Sequence, residues 1–280
     1  MMDVSQGFCL SGFADEISPD LDVQVATLVR LGVTGLDLRS VGGVNVLDLG
    51  IDQLQQVHDK CYENGLRVQS IGSPVNKVAF EPLNEAREYE KLHKAIKAAH
   101  RVNVKRIRIF TPMVLEDQLD SASQKVIAWM LQQKKLAQDE GVVLIHENDD
   151  RYWAAHPHNA KRLMEAIGGE SFRFAYDFAN TVLQGYRTMA DWFPWIIPYL
   201  DTLHIKDAIQ DQRKIVPAGE GEGELPEALT LLVEKGWAGP LTIEPHLAAA
   251  GPMGGFSGED LFEVAVTALR KVATEAGVTV

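Results

Sequence analysis

Short apolar runs alternate along the chain with longer segments in which apolar residues recur every three or four positions. The runs read as buried strands, and the periodic segments as helices with one face on a core. The runs at 7–13, 33–39, 66–71, 104–110, 142–149, 172–177, 199–206 and 241–244 predict eight strands. The periodic segments at 19–31, 51–64, 83–101, 116–140, 158–167, 189–196, 225–235 and 261–273 predict eight helices. Gly32 and Gly141 stand directly after two of these helices, where a glycine ends a helix in a left-handed turn. Strict alternation implies parallel strands joined by right-handed crossovers. Eight such units in about 250 residues fit a single-domain (β/α)8 TIM barrel over residues 1–280. An open doubly wound sheet is the alternative, but no G-x-G-x-x-G follows the first run. The longest irregular stretches, 207–224 and 245–258, both follow strands. They therefore belong to the face where barrels keep their active sites.

Four of the runs end on polar residues where a buried strand should stay apolar. VVLIHEND carries Glu147, FRFAYD ends on Asp177, TLHIKD carries His204, and PLTIEPH carries Glu244. The first three are about one strand-plus-helix unit, roughly 30 residues, apart. Period-two alternation puts Val143, Ile145 and Glu147 on one strand face and Leu144 and His146 on the other. In a barrel the four polar ends converge on one central pocket. Three converging carboxylates would repel one another and push their pKa values up, a cost that a divalent cation removes. Oxygen donors with one imidazole suit Mn²⁺ first, with Mg²⁺, Co²⁺ or Zn²⁺ as alternatives. Because an unperturbed imidazole titrates near 6.5, cation binding is expected to tighten through about pH 6–7.

Composition narrows the partners. The 280 residues are 46% hydrophobic and 24% charged, which supports an ordinary globular core. The net charge is −12, without a basic cluster, so nucleic acid is not an expected partner. No apolar run approaches about 18 residues, so no transmembrane helix is expected, and residues 1–12 show no signal-peptide pattern. Cys9 and Cys61 are too few for a disulfide framework, which points to a reducing cytoplasm. A homo-oligomer is compatible with the sequence.

Further residues are candidates for substrate contact. Asp37 and Arg39 share a strand face and are placed to meet hydroxyls or a phosphate, with a structural ion pair as the alternative. Arg108 lies near the end of strand four, and Lys206 shares the inward face of His204, with a pair to Asp207 as its alternative. His146 and His246 flank proposed ligands and are expected to hydrogen-bond around them. The remaining histidines are read as surface residues. GEGEGEL lacks the Lys and Ser/Thr of a phosphate loop and is read as a loop over the pocket. Trp192 and Trp195 bracket Pro194 and are read as packing, with an aromatic lid or subunit contact as the alternative.

The segments GFADEISPDLDVQ, LDLRS, HEND, YDFAN, HIKDA, VPAGEGEGEL, IEPH and GFSG, in that order, resemble the sugar phosphate isomerase/epimerase group with the xylose-isomerase-like TIM barrel. The resemblance implies one divalent metal ion held by Glu147, Asp177, His204 and Glu244. It also implies that Glu147 and Glu244 move protons on opposite sides of a small carbohydrate substrate. It leaves open an isomerase or epimerase of keto-sugars or sugar phosphates, and a dehydratase or lyase of keto-inositols or keto-glycosides. An endonuclease of the abasic-site type shares the barrel, but it needs several more His ligands than this chain offers.

Overall fold

The predicted strands become a closed ring in the computed structural model, which describes residues 8–251 and 254–280. The barrel strands are β1 (Cys9–Gly12), β2 (Gly35–Leu38), β3 (Arg67–Gly72), β4 (Arg106–Ile109), β5 (Val143–Glu147), β6 (Phe172–Asp177), β7 (Leu200–Ile205) and β8 (Pro240–Ile243). Each pairs in parallel with its sequence neighbours, and β1 closes the ring against β8 with Cys9 opposite Pro240. Gly7, included in the first predicted strand, lies outside the described residues. Outside the ring run α1 (Leu21–Arg30), α2 (Ile51–Glu63), α3 (Pro82–Arg101), α4 (Leu119–Asp139), α5 (Pro157–Ile167), α6 (Phe178–Leu183), α7 (Phe193–Ile196), α8 (Leu225–Glu234) and α9 (Gly258–Glu275). No helix among the described residues is long and apolar enough to cross a membrane.

Two-residue alternation sorts each strand between helix layer and barrel interior. On β6, Phe174 and Tyr176 face outward onto Trp192, and Trp192 packs on Trp195. Phe174, Tyr176 and Trp192 are fully buried, and burying each large apolar side chain contributes roughly 1.5–3 kcal/mol. Trp192 therefore belongs to the wall behind β6, and the aromatic-lid alternative is excluded. The interior is polar for a barrel. Ser11 and Thr242 hydroxyls lie 2.9 Å apart, Thr202 lies 3.3 Å from Thr242, and Ser70 donates to Asp37.

The connections depart from the prediction in three places. There are nine helices among the described residues because α6 begins directly after β6, before a π-helical turn over Thr188–Trp192 leads into α7. Each long irregular stretch contains a hairpin, Asp207–Ile209 with Lys214–Val216 and Ala249–Gly251 with Gly254–Phe256. The glycine loop does not cover the pocket. The N–H groups of Gly219, Gly221 and Gly223 donate to the Asp207 carboxylate at 3.1, 3.0 and 2.8 Å. The loop is an anion nest filled by the chain's own aspartate.

Candidate metal centre

Glu147 is the last residue of β5, Asp177 the last of β6, and His204 the fifth of six in β7, while Glu244 directly follows β8. The ring brings them together as the alternation requires. Each offers a donor atom, and these atoms lie within 4.8 Å of one another. All four are buried, at 3% exposure or less. Glu147 and Glu244 line a cavity of about 340 Å³ together with Arg39, Lys77, Arg108, Lys206 and His246, at the small end of the roughly 300–1,000 Å³ typical of small-molecule sites, and Asp177 and His204 stand next to them within the cluster.

Local structure fixes each donor. Asp177 is the N-cap of α6: its Oδ1 accepts the Asn180 N–H at 2.8 Å, which leaves Oδ2 for the cavity. Asn148 donates to the Asp177 carbonyl and accepts its N–H, which ties the ends of β5 and β6. His204 Nδ1 lies 3.2 Å from Glu147 Oε1 and 3.4 Å from Glu244 Oε2, with Phe13 edge-on to the ring. Lys206 Nζ stands between Asp177 Oδ2 at 2.8 Å and Glu244 Oε2 at 3.1 Å, so its partners are these rather than Asp207. Arg108 Nη1 reaches Glu147 Oε2 at 3.2 Å and Glu244 Oε1 at 3.8 Å.

Burial and these pairs set the charge states. Burial would raise Glu147, but His204 and Arg108 outweigh it and hold the carboxyl down to about 2. Burial would lower His204, and Glu147 and Glu244 instead lift it to about 10. For Asp177 burial wins, aided by Glu147 and Glu244 against Lys206, and the carboxyl is pushed up to about 7. Glu244 is held well below the ordinary carboxylate range because Lys206, His204 and His246 outweigh its burial.

Three expectations need correction. Asp37 does not reach the cavity. It lies deeper in the barrel, hydrogen-bonded to Ser70, beside an internal space of about 10 Å³ that also touches His204. His146 is not part of the hydrogen-bonding surroundings. Its ring is on the outward face of β5 against Phe174, both ring nitrogens lack a hydrogen bond, and burial holds it neutral, down to about 3. The imidazole of the cluster titrates near 10 rather than 6.5, which moves the expected pH window upward. Arg39 lines the cavity but is already engaged, 2.8 Å from Asp15 and 3.0 Å from Glu244. His246 does contact Glu244, at 3.5 Å.

Lys77 and Asp149 were not foreseen. Their side chains pair at 2.9 Å on the cavity wall, and Lys77 lies over the Phe110 ring. Lys77 sits in the loop after β3, where no periodic pattern marks it. Asp149 closes the polar run after β5, a signal that was present but not followed.

The family model described as xylose isomerase-like TIM barrel matches residues 25–272. No curated protein sequence matches the chain. Among solved structures, D-psicose 3-epimerase with D-tagatose from Clostridium cellulolyticum H10 superposes with a TM-score of 0.73 at 14% identity, covering 96% of this chain and 99% of that one. A xylose isomerase-like TIM barrel protein from Mycobacterium smegmatis in complex with magnesium gives 0.69 at 14% identity, covering 97% and 98%. A probable 3-DHS dehydratase from Bacillus anthracis gives 0.70 at 13% identity, covering 94% and 98%. At these identities the superpositions speak for the fold, and with the family match over nearly the whole length, the chain belongs to the xylose isomerase-like TIM barrel family.

Proposed function

We propose that the protein is a divalent-metal-dependent isomerase or epimerase that acts on a keto-sugar or sugar phosphate by proton transfer beside a carbonyl. The observation that carries this reading is the buried quartet Glu147, Asp177, His204 and Glu244, with donor atoms within 4.8 Å of one another and two of its members, Glu147 and Glu244, on the wall of a polar cavity. The donors fit a cation: Glu147 Oε2, Asp177 Oδ2 and His204 Nδ1 are buried and make no well-formed hydrogen bond. They meet the ion partners Arg108, Lys206 and, for His204, Glu147 and Glu244, whose place at each atom a cation would take. A bound divalent ion supplies stabilisation of the negative charge that develops on substrate oxygens. Mn²⁺ is the first choice for this donor set, before Mg²⁺, Co²⁺ or Zn²⁺.

The chain's own residues supply the proton transfers. Glu147 and Glu244 come from β5 and β8, so they approach a bound sugar from two sides of the ring. A base must be ionised: against burial, His204 and Arg108 keep Glu147 charged, and Lys206, His204 and His246 do the same for Glu244. Removal by one glutamate and return by the other inverts a stereocentre, while one glutamate acting alone moves the carbonyl. Lys206, between Asp177 and Glu244, orients a hydroxyl on the same side. The superposition on an epimerase solved with D-tagatose supports a small carbohydrate as substrate. Neither nucleic acid nor membrane is assigned as a partner, and the two free thiols fit a reducing cytoplasm.

A dehydratase on the same residues is the second reading. His246, at the cavity and, despite its burial, raised above its ordinary value by Glu16 and Glu244, is placed to pass a proton to a leaving hydroxyl. A dehydratase is also among the structural neighbours. The test is a screen of keto-sugars, keto-inositols and keto-glycosides with Mn²⁺ in D₂O, followed by proton NMR. Deuterium entering beside the carbonyl with epimer or isomer formation supports the first reading. Elimination product supports the second, and no exchange with any substrate class overturns both.

A further inference from the structure

Three segments that carry the family resemblance contribute nothing to the quartet: GFADEIS after β1, the histidine of IEPH after β8, and GFSG before α9. They meet at one carboxylate. Glu16, in the 3-10 turn Ala14–Glu16, is fully buried. Its Oε2 accepts the His246 backbone N–H at 2.8 Å and the Ser257 hydroxyl at 3.2 Å. Its Oε1 lies 3.1 Å from His246 Nε2 and 3.6 Å from Arg39 Nη2. His246 Nε2 is in turn 3.5 Å from Glu244 Oε1, and Arg39 Nη1 is 3.0 Å from the same oxygen.

Two further features show that the imidazole is held in place. His246 adopts φ 47, a left-handed conformation disfavoured for a residue with a Cβ. The second strand of the 249–256 hairpin closes over it, with Gly255 so near that a Cβ there would overlap the His246 ring, and a Cβ on Gly254 would meet the Arg39 guanidinium. The trio Glu16, Glu244 and His246 also has metal-site spacing, but Arg39 already lies against both carboxylates and meets their charge.

We propose that Glu16 and His246 are positioning residues that fix the rotation of the Glu244 carboxylate. Glu16 acts through His246 and Arg39, which it holds and which contact Glu244 Oε1, and this turns Oε2 toward His204 at 3.4 Å and Lys206 at 3.1 Å, the side of the quartet. The terminal torsion of a glutamate is soft, so without these partners both oxygens sample many orientations. The inference rests on the reading of Glu244 as a member of a metal-holding quartet. Partners that orient a ligand typically change metal affinity about 10–100-fold.

The test uses purified full-length protein. Mn²⁺ binding is measured by calorimetry for wild type, Glu16→Gln, His246→Asn, the double variant and Gly255→Ala, each first shown to be folded by circular dichroism and thermal melting. Asn tolerates the left-handed backbone at 246, and Gly255→Ala moves the ring without removing any charge. Metal-free crystal structures of wild type and Glu16→Gln are determined in parallel. The expected result is a loss of about 10–100-fold in Mn²⁺ affinity for each single variant, with the double variant no weaker than the weaker single one. Folded variants that bind Mn²⁺ like wild type would overturn the inference and leave the metal reading standing. Wild type that binds no Mn²⁺ would overturn the metal reading. The crystal structures then decide the inference alone: a rotated Glu244 in Glu16→Gln supports it, and an unmoved one overturns it. If a single variant does not fold, Gly255→Ala decides by the same affinity criterion.

Discussion

The two halves of the barrel bring different charges to the cavity: one supplies cations alone, and the other supplies every lining carboxylate. β2 to β4 and the loops that follow them supply Arg39, Lys77 and Arg108, while the lining carboxylates Glu147, Asp149, Asp150 and Glu244 all come from β5 to β8 and their loops, mixed with Arg151, Lys206, Arg213 and His246. Two of the ion pairs fall at the seams between the halves. Arg108 meets Glu147 across the β4–β5 neighbours, and Arg39 meets Glu244 across β1, which lies between β2 and β8. These two pairs tie Glu147 and Glu244 to the cationic half.

Removing a member of the acidic half should have the largest effect. Glu147→Gln or Glu244→Gln, assayed with a substrate found in D₂O and with metal content measured in the same samples, is expected to lower turnover by about 10²–10⁴-fold while the fold persists. Each variant should still exchange the proton on the face served by the surviving glutamate. Metal-loaded variants with wild-type turnover would contradict the two-glutamate mechanism.

Removing the cation at one seam should cost stability instead. Arg108→Met leaves two buried carboxylates short of a partner, and breaking a buried pair from one side costs about 3–5 kcal/mol. Urea unfolding without metal should register that loss, and saturating Mn²⁺ should recover part of it because the cation replaces the lost charge. An equal loss with and without Mn²⁺ would mean that the metal lies elsewhere.

The pH dependence is smaller per unit but has a definite sign. The folded chain raises His204 to about 10, above its ordinary value, so its contribution to metal-free stability is complete below about pH 6.5 and is lost as pH climbs toward 10. Glu147, held down to about 2, works the other way: its contribution is present above about pH 4.5 and is lost on acidification toward 2. A cation must displace the His204 proton, so Mn²⁺ affinity should rise between pH 7 and 9 by up to about tenfold per unit. Calorimetry that finds a flat profile there would remove His204 from the ligand set.

The smallest effect belongs to Asp37. It sits below the cavity on the cationic half and is bonded to Ser70. Asp37→Asn is expected to change stability by about 1 kcal/mol and to leave substrate KM unchanged. A large KM increase would return Asp37 to the substrate-binding wall.

The strand order, the ring and the quartet were legible because a polar residue at the end of an apolar run is a strong departure from pattern, repeated here four times. Alternation also assigned faces correctly: Glu147 inward, His146 outward. It gives a face and not a height, which is why Asp37 was placed at the cavity with Arg39 when it lies beneath it. Nor does it say what waits on the other side of a strand, so His146 was given polar company and instead meets Phe174. Helix α6 was missed because it has only six residues and because its cap, Asp177, was read for its ligand oxygen alone. Glu16 lies in a segment that carries the resemblance, but nothing in the apolar pattern singled it out, since an acid near the start of a helical segment is ordinary. Its importance arises from contacts with residues 230 and 241 positions away.

The central claim is that the acidic half holds one divalent cation at its four strand ends, and the most direct measurement is anomalous diffraction from crystals grown with Mn²⁺. The expected result is a single strong peak within about 2.0–2.6 Å of oxygens of Glu147, Asp177 and Glu244 and of the His204 Nδ1, the bonding range of hard divalent cations. A peak at the Glu16–His246 trio, or no peak while Lys206 still bridges Asp177 and Glu244, would contradict it.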